Sequence, residues 1–182
     1  MIPGSLARRY ARALLGLASQ QRLEDKVLTE IGSFAETFHD SKDLKQTLTT
    51  PMVPAEVRRR VLDEVLGRLA ASDLTRKFLF YIEAKGRMVG IEDIHRSFKR
   101  MVDEKLGRVD AEVTTAGPLE PAEAARLKKH LEGITGKQVV LTQVVDRSIV
   151  GGAITRIGHV VYDGSIRSFL EEARRSLMSE SA

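Results

Sequence analysis

The apolar residues of this chain change their spacing within the stretch Leu106-Gly107-Arg108-Val109-Asp110-Ala111-Glu112-Val113-Thr114-Thr115-Ala116-Gly117-Pro118. Over residues 109–115, apolar and polar side chains alternate, which is typical of a β-strand with one solvated face. Before this stretch, apolar residues recur every three or four positions, as they do on one face of an α-helix. The change of period predicts two domains, residues 1–106 and residues 107–182.

Six helices are predicted between Ser5 and Leu106. The first is amphipathic, and the residues that share its apolar face are Leu6, Tyr10, Ala13, Leu14 and Leu17. Ser41 and Ser72 stand where they could cap the third and fifth helices, and Gly86 is a natural stop for the fifth. Because short connections between amphipathic helices favour antiparallel packing around one core, we predict an N-terminal six-helix bundle.

The residues after Gly107 predict a strand, a helix, three further strands and a final helix. The first helix of this part is expected to begin at Pro121 and to end at Gly136, and the second strand covers Val139–Val145. In the final helix, Glu171 and Arg175 are four residues apart, in the order that stabilises a helix.

The third and fourth strands are predicted at residues 149–157 and 159–162, with a turn at Gly158. Asp163-Gly164-Ser165 is interpreted as a second turn, which leads into the final helix. Two consecutive strands joined by a glycine turn pair antiparallel, so the sheet is not wholly parallel. The predicted fold class is therefore α+β: the N-terminal six-helix bundle is followed by a small C-terminal α/β domain with a mixed sheet.

The composition excludes several classes of site. The chain has no cysteine, so disulfides, thiolate metal sites and cysteine nucleophiles are absent. No stretch approaches the roughly 20 apolar residues that cross a bilayer, so membrane association is expected only through a partner. The net charge of +4 arises within residues 1–106. The only charged side chains before Glu24 are those of arginines. A transit peptide has a similar composition, but an amphipathic helix is the preferred interpretation.

No catalytic, cofactor-binding or metal-binding constellation emerges from the sequence. Gly136-Lys137 resembles the end of a phosphate-binding loop, but Gln138 replaces the expected Ser or Thr and the order of strand and helix is reversed. Gly136 is therefore interpreted as a helix stop. The histidines lack metal-binding spacing, and no serine lies in a nucleophile-elbow pattern. Gly151-Gly152 is interpreted as a bend in a strand, with a docking surface as the alternative.

Four segments, in the same order along the chain, carry a family resemblance. They are Ala7–Leu14, Lys77–Arg87, Ala111–Leu119 and Val145–Gly158, the last continued by Val161–Arg167. In their glycines, order and spacing they resemble the ATP synthase delta subunits, called the oligomycin-sensitivity-conferring protein in mitochondria. The resemblance covers nearly the whole chain.

The resemblance implies a non-catalytic stator subunit of a proton-translocating ATP synthase, present in one copy per complex. Such a subunit joins the catalytic head to the peripheral stalk, so that rotor torque drives ATP synthesis. It further implies that the bundle binds an N-terminal helix of a head alpha subunit in a groove between its first and fifth helices. The residues implied for this groove are Tyr10, Ala11, Leu14, Phe78 and Ile82, with a place in the bundle core as the alternative for each.

For residues 107–182, the resemblance implies binding to the C-terminal ends of the stalk b subunits. The residues that carry the family pattern are Gly151, Gly152, Asp163, Gly164 and Ser165, and we expect them to shape the fold more than to touch the partner. No cofactor and no nucleic acid are implied. The expected location is the cytoplasmic face of the bacterial inner membrane, as a peripheral protein held through the complex.

Two other functions stay open on the residues alone. A nucleic-acid-binding module is suggested by the sequence pI near 9.5 and by the arginines of the first helix, and its affinity would fall steeply with salt. An enzyme would have to use the Gly136-Lys137 turn, and nucleotide binding that is lost in Lys137→Ala would support it.

Overall fold

The computed structural model describes residues 3–149, 151–158, 160–168 and 170. The chain divides into two compact units, Met1–Lys105 and Leu106–Ala182. Val150, His159 and the Glu171–Arg175 pair of the predicted final helix lie outside the described residues. In the described part of the chain, no helix is both long and apolar enough to cross a bilayer.

The described residues of the first unit form six α-helices, which confirms the predicted bundle. Their bounds are α1 (Gly4–Gln21), α2 (Glu24–Asp40), α3 (Lys42–Thr49), α4 (Ala55–Arg68), α5 (Asp73–Ala84) and α6 (Ile91–Lys105). Ser41 caps α3 as predicted, since its side chain accepts a hydrogen bond from the backbone N–H of Leu44 at 3.2 Å. Gly86, at φ 62°, follows α5 in the left-handed conformation that ends a helix.

The buried face of α1 differs from the predicted one. The residues that α1 buries are Ala7, Ala11, Leu14 and Ala18. Of the predicted apolar face only Leu14 is buried, whereas Leu6 and Tyr10 are half-buried and Ala13 and Leu17 are exposed. Small alanine side chains allow a neighbouring helix to approach closely, and α6 is the principal neighbour of α1. Apart from Leu14, the larger apolar residues of α1 are consequently only half-buried or are exposed.

Among the described residues, the second unit has a four-stranded mixed sheet and a helix that joins its first two strands, as predicted. The elements are β1 (Arg108–Thr115), α7 (Pro121–Thr135), β2 (Gln138–Val145), β3 (Gly152–Ile157) and β4 (Val160–Ser165). The strand order is β2-β1-β3-β4, with β1 and β2 parallel and the other two pairs antiparallel. The parallel pair requires a crossover connection, which α7 provides. A small core forms from Ala111, Leu131, Val139 and Ile157.

Two predicted boundaries in this unit are wrong. Strand β3 begins at Gly152 instead of residue 149, because Gly152 has a φ of 84° and marks the point where the chain turns into the strand. Asp163-Gly164-Ser165 is the end of β4 instead of a turn, because Gly164 pairs with Ala153 in the ladder. Residues 166–168 and 170 are helical.

Candidate partner-binding site

An exposed apolar face lies where α1 borders α5. Leu6, Tyr10, Ala13 and Leu17 recur at intervals of four, three and four, so they share one side of α1. The ring of Tyr10 meets the ring of Tyr81 on α5 edge to face, with 6.3 Å between the centroids. Leu17 is 47% exposed and Tyr81 is 52% exposed. We call these five residues the α1/α5 face.

Two basic side chains, one within α5 and one at its C-cap, flank the α1/α5 face. The ammonium nitrogen of Lys85 lies 5.5 Å from the centroid of the Tyr81 ring, in cation–π geometry. Lys77 lies four residues before Tyr81 and is exposed. Apolar anchors surrounded by charged groups are the arrangement that receives an amphipathic helix, since the anchors supply affinity and the charges set the register.

The five residues predicted for the groove lie at two depths. Ala11, Leu14 and Ile82 have no exposed surface and Phe78 is 8% exposed, so these four belong to the bundle core, the alternative that the sequence left open. Tyr10 alone reaches the surface, half-buried against Tyr81. Tyr10 packs against the core cluster that contains these four residues.

Sequence reasoning missed Tyr81. The family resemblance implied Phe78 and Ile82, which lie four residues apart on one side of α5, but that side is the core side. The chemistry of the tyrosine side chain was a signal for this surface position. A tyrosine keeps its hydroxyl in water while its ring packs, which suits a position beside a core stripe.

A half-buried carboxylate, that of Glu30, fixes the N-terminal end of α5. One oxygen of Glu30 accepts the backbone N–H of Ser72 at 3.0 Å. The other accepts the hydroxyls of Ser72 at 2.6 Å and Thr75 at 2.5 Å. Ser72 is thus the N-cap residue of α5, as predicted, but its hydroxyl donates to Glu30 instead of capping the helix itself. A negative charge at a helix N-terminus is also favoured by the helix dipole.

A second carboxylate fixes α5 near its other end. The side chain of Glu83 is only 1% exposed, and it accepts a hydrogen bond of 2.7 Å from Nε of Arg58 on α4. Arg59 approaches the other carboxylate oxygen to 3.8 Å. Arg58 also donates to the carbonyl oxygen of Val53 at 2.7 Å. The two carboxylates together hold α5, and therefore Tyr81, in place.

In the second unit, the glycines predicted as family-pattern residues lie where two backbones meet. A Cβ on Gly152 would stand 2.2 Å from the carbonyl oxygen of Gly164, and one on Gly164 would stand 3.2 Å from that of Ala153. Gly151 accepts the backbone N–H of Ile166 at 3.0 Å. These glycines therefore shape the β3–β4 hairpin, as expected, and offer no side chain to a partner.

Asp163 and Ser165 complete the same hairpin. Asp163 accepts the backbone N–H of Ser165 at 2.9 Å and the hydroxyl of Ser168 at 2.7 Å. Ser165 is buried, and its hydroxyl oxygen accepts the backbone N–H of Ser168 at 3.3 Å, three residues on, as an N-cap does. The Ser168 hydroxyl first, and the N–H of Ser165 second, lower the pKa of Asp163 below its usual value. Asp163 is an anchor for the chain after β4.

Known proteins similar to this chain decide the family. The family model described as the ATP synthase delta (OSCP) subunit matches residues 6–177. The chain belongs to this family. The resemblance predicted from the sequence is thereby confirmed, and as a delta/OSCP family member the chain is a non-catalytic subunit of the F-type ATP synthase.

Bacterial relatives match over nearly their full length. The ATP synthase subunit delta of Anaeromyxobacter sp. (strain Fw109-5) is 35% identical over 177 residues, which cover 97% of this chain and 99% of the relative. That of Myxococcus xanthus is 36% identical over 180 residues, covering 97% and 98% of the two chains. The delta/OSCP assignment therefore applies to both units.

Solved structures share the fold. A chain in the mitochondrial ATP synthase hexamer of Toxoplasma gondii superposes with a TM-score of 0.68 at 20% identity, covering 95% of this chain and 97% of that chain. A chain in the Polytomella F-ATP synthase has a TM-score of 0.50 at 26% identity, covering 54% of this chain and 88% of that chain. The fold of this chain is thus also found in chains of solved ATP synthase structures.

The Gly136-Lys137 turn has the geometry of a helix stop. Gly136 is the C-cap of α7 at φ 64°, and the chain continues directly into β2. The end of a helix that reaches this turn carries partial negative charge, which repels a phosphate. The interpretation of Gly136 as a helix stop is therefore confirmed.

Two of the histidines lie beside one groove of the delta/OSCP bundle. Nδ1 of His39 is 3.2 Å from a carboxylate oxygen of Glu92, and the His95 ring packs over Gly32. Among the described residues, no three His, Asp or Glu side chains are placed to hold a metal ion. Burial lowers the pKa of His95, although Glu36 opposes this shift.

Lowering the pH is expected to destabilise the bundle through His95. Its pKa is lower in the folded state, so between that value and about 6.5 the unfolded chain binds more protons than the folded one. The free energy of unfolding should therefore fall as the pH drops below about 6.5. Urea unfolding followed by circular dichroism between pH 5 and pH 8 measures this slope. His95→Gln should flatten it, and an equal slope in this variant and the parent chain would contradict the assignment.

Proposed function

We propose that this chain is the stator link of the ATP synthase, with one partner interface on each unit. Its first unit binds the N-terminal helix of a head alpha subunit, and its second unit binds the C-terminal ends of the stalk b subunits. The catalytic head must be held still if rotation of the rotor is to change nucleotide affinity. A link in this position transmits torque and requires no active site.

The α1/α5 face carries this proposal. It offers an incoming helix an apolar stripe on α1 and the Tyr81 ring on α5, with Lys85 beside it. Exposed tyrosines supply large contact areas at little entropic cost, which is why they are frequent in the centres of interfaces. The hydrogen bonds of half-buried Glu30 and buried Glu83 hold α5 firmly, so the face is organised before the partner arrives.

Calorimetric binding of a peptide that covers the alpha-subunit N-terminal helix tests the first interface on the full chain. Tyr10→Asp and Tyr81→Ala are each expected to weaken binding by about tenfold or more, because each removes a central aromatic anchor. Tyr162→Ala provides a matched control, since Tyr162 is an exposed tyrosine of the second unit. Undiminished affinity in Tyr10→Asp and Tyr81→Ala, with folding intact by circular dichroism, would refute the proposed groove.

The second interface is proposed on the β4 side of the second unit. Val160 and Val161 are each 52% exposed and Tyr162 is 40% exposed, which gives three consecutive exposed apolar residues. Such a run on an edge strand favours a protein partner over water. The assembled subunit would lie on the cytoplasmic face of a bacterial inner membrane, attached through the complex alone.

A further inference from the structure

A second groove lies on the other side of α1, between α1 and α6. Its volume is about 560 Å³. The lining residues of α1 are Gly4, Ala7, Arg8 and Arg12, and those of α6 are Asp93, Arg96, Ser97, Arg100, Met101 and Glu104. From Asp93 to Glu104, the α6 wall is about 16 Å long, because a helix rises about 1.5 Å per residue. The groove is therefore elongated along the two helices.

The walls of this groove carry an excess of positive charge. Arg8 and Arg12 lie one turn apart on α1, and Arg96 and Arg100 lie one turn apart on α6. Arg96 pairs with Asp93 at 3.6 Å. Within the part of the chain that the structure describes, no side chain forms an ion pair with Arg8, Arg12 or Arg100.

The start of α1 adds to this positive field. The helix begins at Gly4 without a side-chain cap, and its first turn contains no acidic residue. The first backbone N–H groups of a helix lack intrahelical partners and carry partial positive charge. Like charges that face one another across a groove repel, so an anion placed between them would be bound by both walls.

We propose that this arginine groove binds an acidic peptide segment of another ATP synthase subunit, whose carboxylates pair with Arg8, Arg12 and Arg100. Guanidinium groups bind carboxylates through two parallel hydrogen bonds, which gives geometric specificity as well as attraction. The length of the groove and its apolar floor of Ala7 and Met101 fit a peptide backbone with carboxylates on either side. The proposal relies on the family membership and is independent of the α1/α5 face.

Arginine-specific labelling with phenylglyoxal tests the groove in the assembled ATP synthase. Arg8, Arg12 and Arg100 are expected to react about tenfold more slowly in the complex than in the isolated chain, because carboxylates cover their guanidinium groups. A photoreactive p-benzoylphenylalanine at position 97 should cross-link a segment that contains two or more acidic residues. Unchanged labelling, a cross-linked segment without acidic residues, or equal protection by phosphatidylglycerol vesicles would each overturn the proposal.

Charge reversal provides a second test with a matched control. Combining Arg8→Glu with Arg100→Glu should weaken reassociation with ATP synthase stripped of this subunit by about tenfold or more. Arg60→Glu combined with Arg87→Glu changes the net charge equally at exposed positions outside the groove and should have a much smaller effect. Equal losses in the two double variants would show a general charge effect and would overturn the proposal.

Discussion

Replacing Arg58 by methionine should lower the free energy of unfolding of the bundle by about 3 kcal/mol, because it leaves the buried Glu83 carboxylate without its closest partner. That carboxylate is 1% exposed, and its remaining basic neighbour, Arg59, is 3.8 Å away and largely solvated. Methionine keeps most of the packed volume, so the change removes charge and hydrogen bonds more than contact area. Urea unfolding of the full chain, followed by circular dichroism at 222 nm, measures the loss.

An exposed ion pair provides the control for Arg58→Met. Arg68 and Glu64 form a hydrogen bond of 2.6 Å, but their side chains are 78% and 63% exposed. Arg68→Met should therefore cost less than about 1 kcal/mol. A double variant, Arg58→Met with Glu83→Leu, should recover much of the loss because no charge remains buried. If the double variant is no more stable than Arg58→Met, packing and not charge determines the result.

The same contact supports the proposed function. Arg58 joins α4 to α5 through Glu83, and α5 carries Tyr81 of the α1/α5 face. A stator must transmit torque without yielding, so the helices that meet a partner must be fixed to the rest of the bundle. The energy of this buried ion pair depends on direction as well as distance, so the pair helps to fix the position of α5 relative to α4.

Local sequence signals were sufficient to predict the fold. The alternation over residues 109–115 identified β1, and glycines with positive φ, such as Gly86 and Gly136, marked where helices end. These features depend on the conformational preferences of a few adjacent residues. The boundaries of two strands were predicted wrongly because they depend on contacts that are not local. The limits of β3 and β4 depend on pairing between Gly152 and Ser165, which are distant in sequence.

The candidate site was predicted less completely, because burial on α1 depends on which neighbouring helix is closest. Periodicity placed Leu6, Tyr10, Ala13, Leu14 and Leu17 on one face and could not show that alanines would form the packed side. Hydrophobicity ranks leucine above alanine as a core residue, but close helix packing selects the smaller side chain. The surface that α1 exposes therefore depends on how α6 packs against it, which the periodicity of α1 alone does not give.

The largest effect expected in the second unit comes from adding a methyl group at Gly152. At φ 84°, Gly152 has a backbone conformation that residues with a Cβ adopt only at a cost in free energy. The added carbon would also stand 2.2 Å from the carbonyl oxygen of Gly164 and 2.9 Å from Cα of Ser165. Both obstacles are backbone atoms, so no side chain can rotate away to relieve the clash.

Gly152→Ala should therefore destabilise the second unit by more than about 2 kcal/mol, because conformational strain and the clash add together. Relief requires β3 and β4 to separate at the pairs Gly152–Ser165 and Ala153–Gly164. Hydrogen exchange followed by mass spectrometry would show faster exchange in peptides covering β3 and β4. Peptides from α1 and α6 would report whether the bundle is unaffected, as expected for a separate compact unit.

Gly133→Ala is the matched control, because the same methyl group is added where the backbone accepts it. Gly133 lies within α7 with no atom within 4 Å of the added carbon. Alanine is favoured over glycine inside a helix by roughly 0.5–1 kcal/mol, so this variant should be slightly more stable than the parent chain. If Gly152→Ala lowers stability and Gly133→Ala raises it, the close approach of the two backbones explains why glycine is required at position 152. If Gly152→Ala exchanges as slowly as Gly133→Ala, the β3–β4 hairpin tolerates a Cβ and this geometric account of the glycine is wrong.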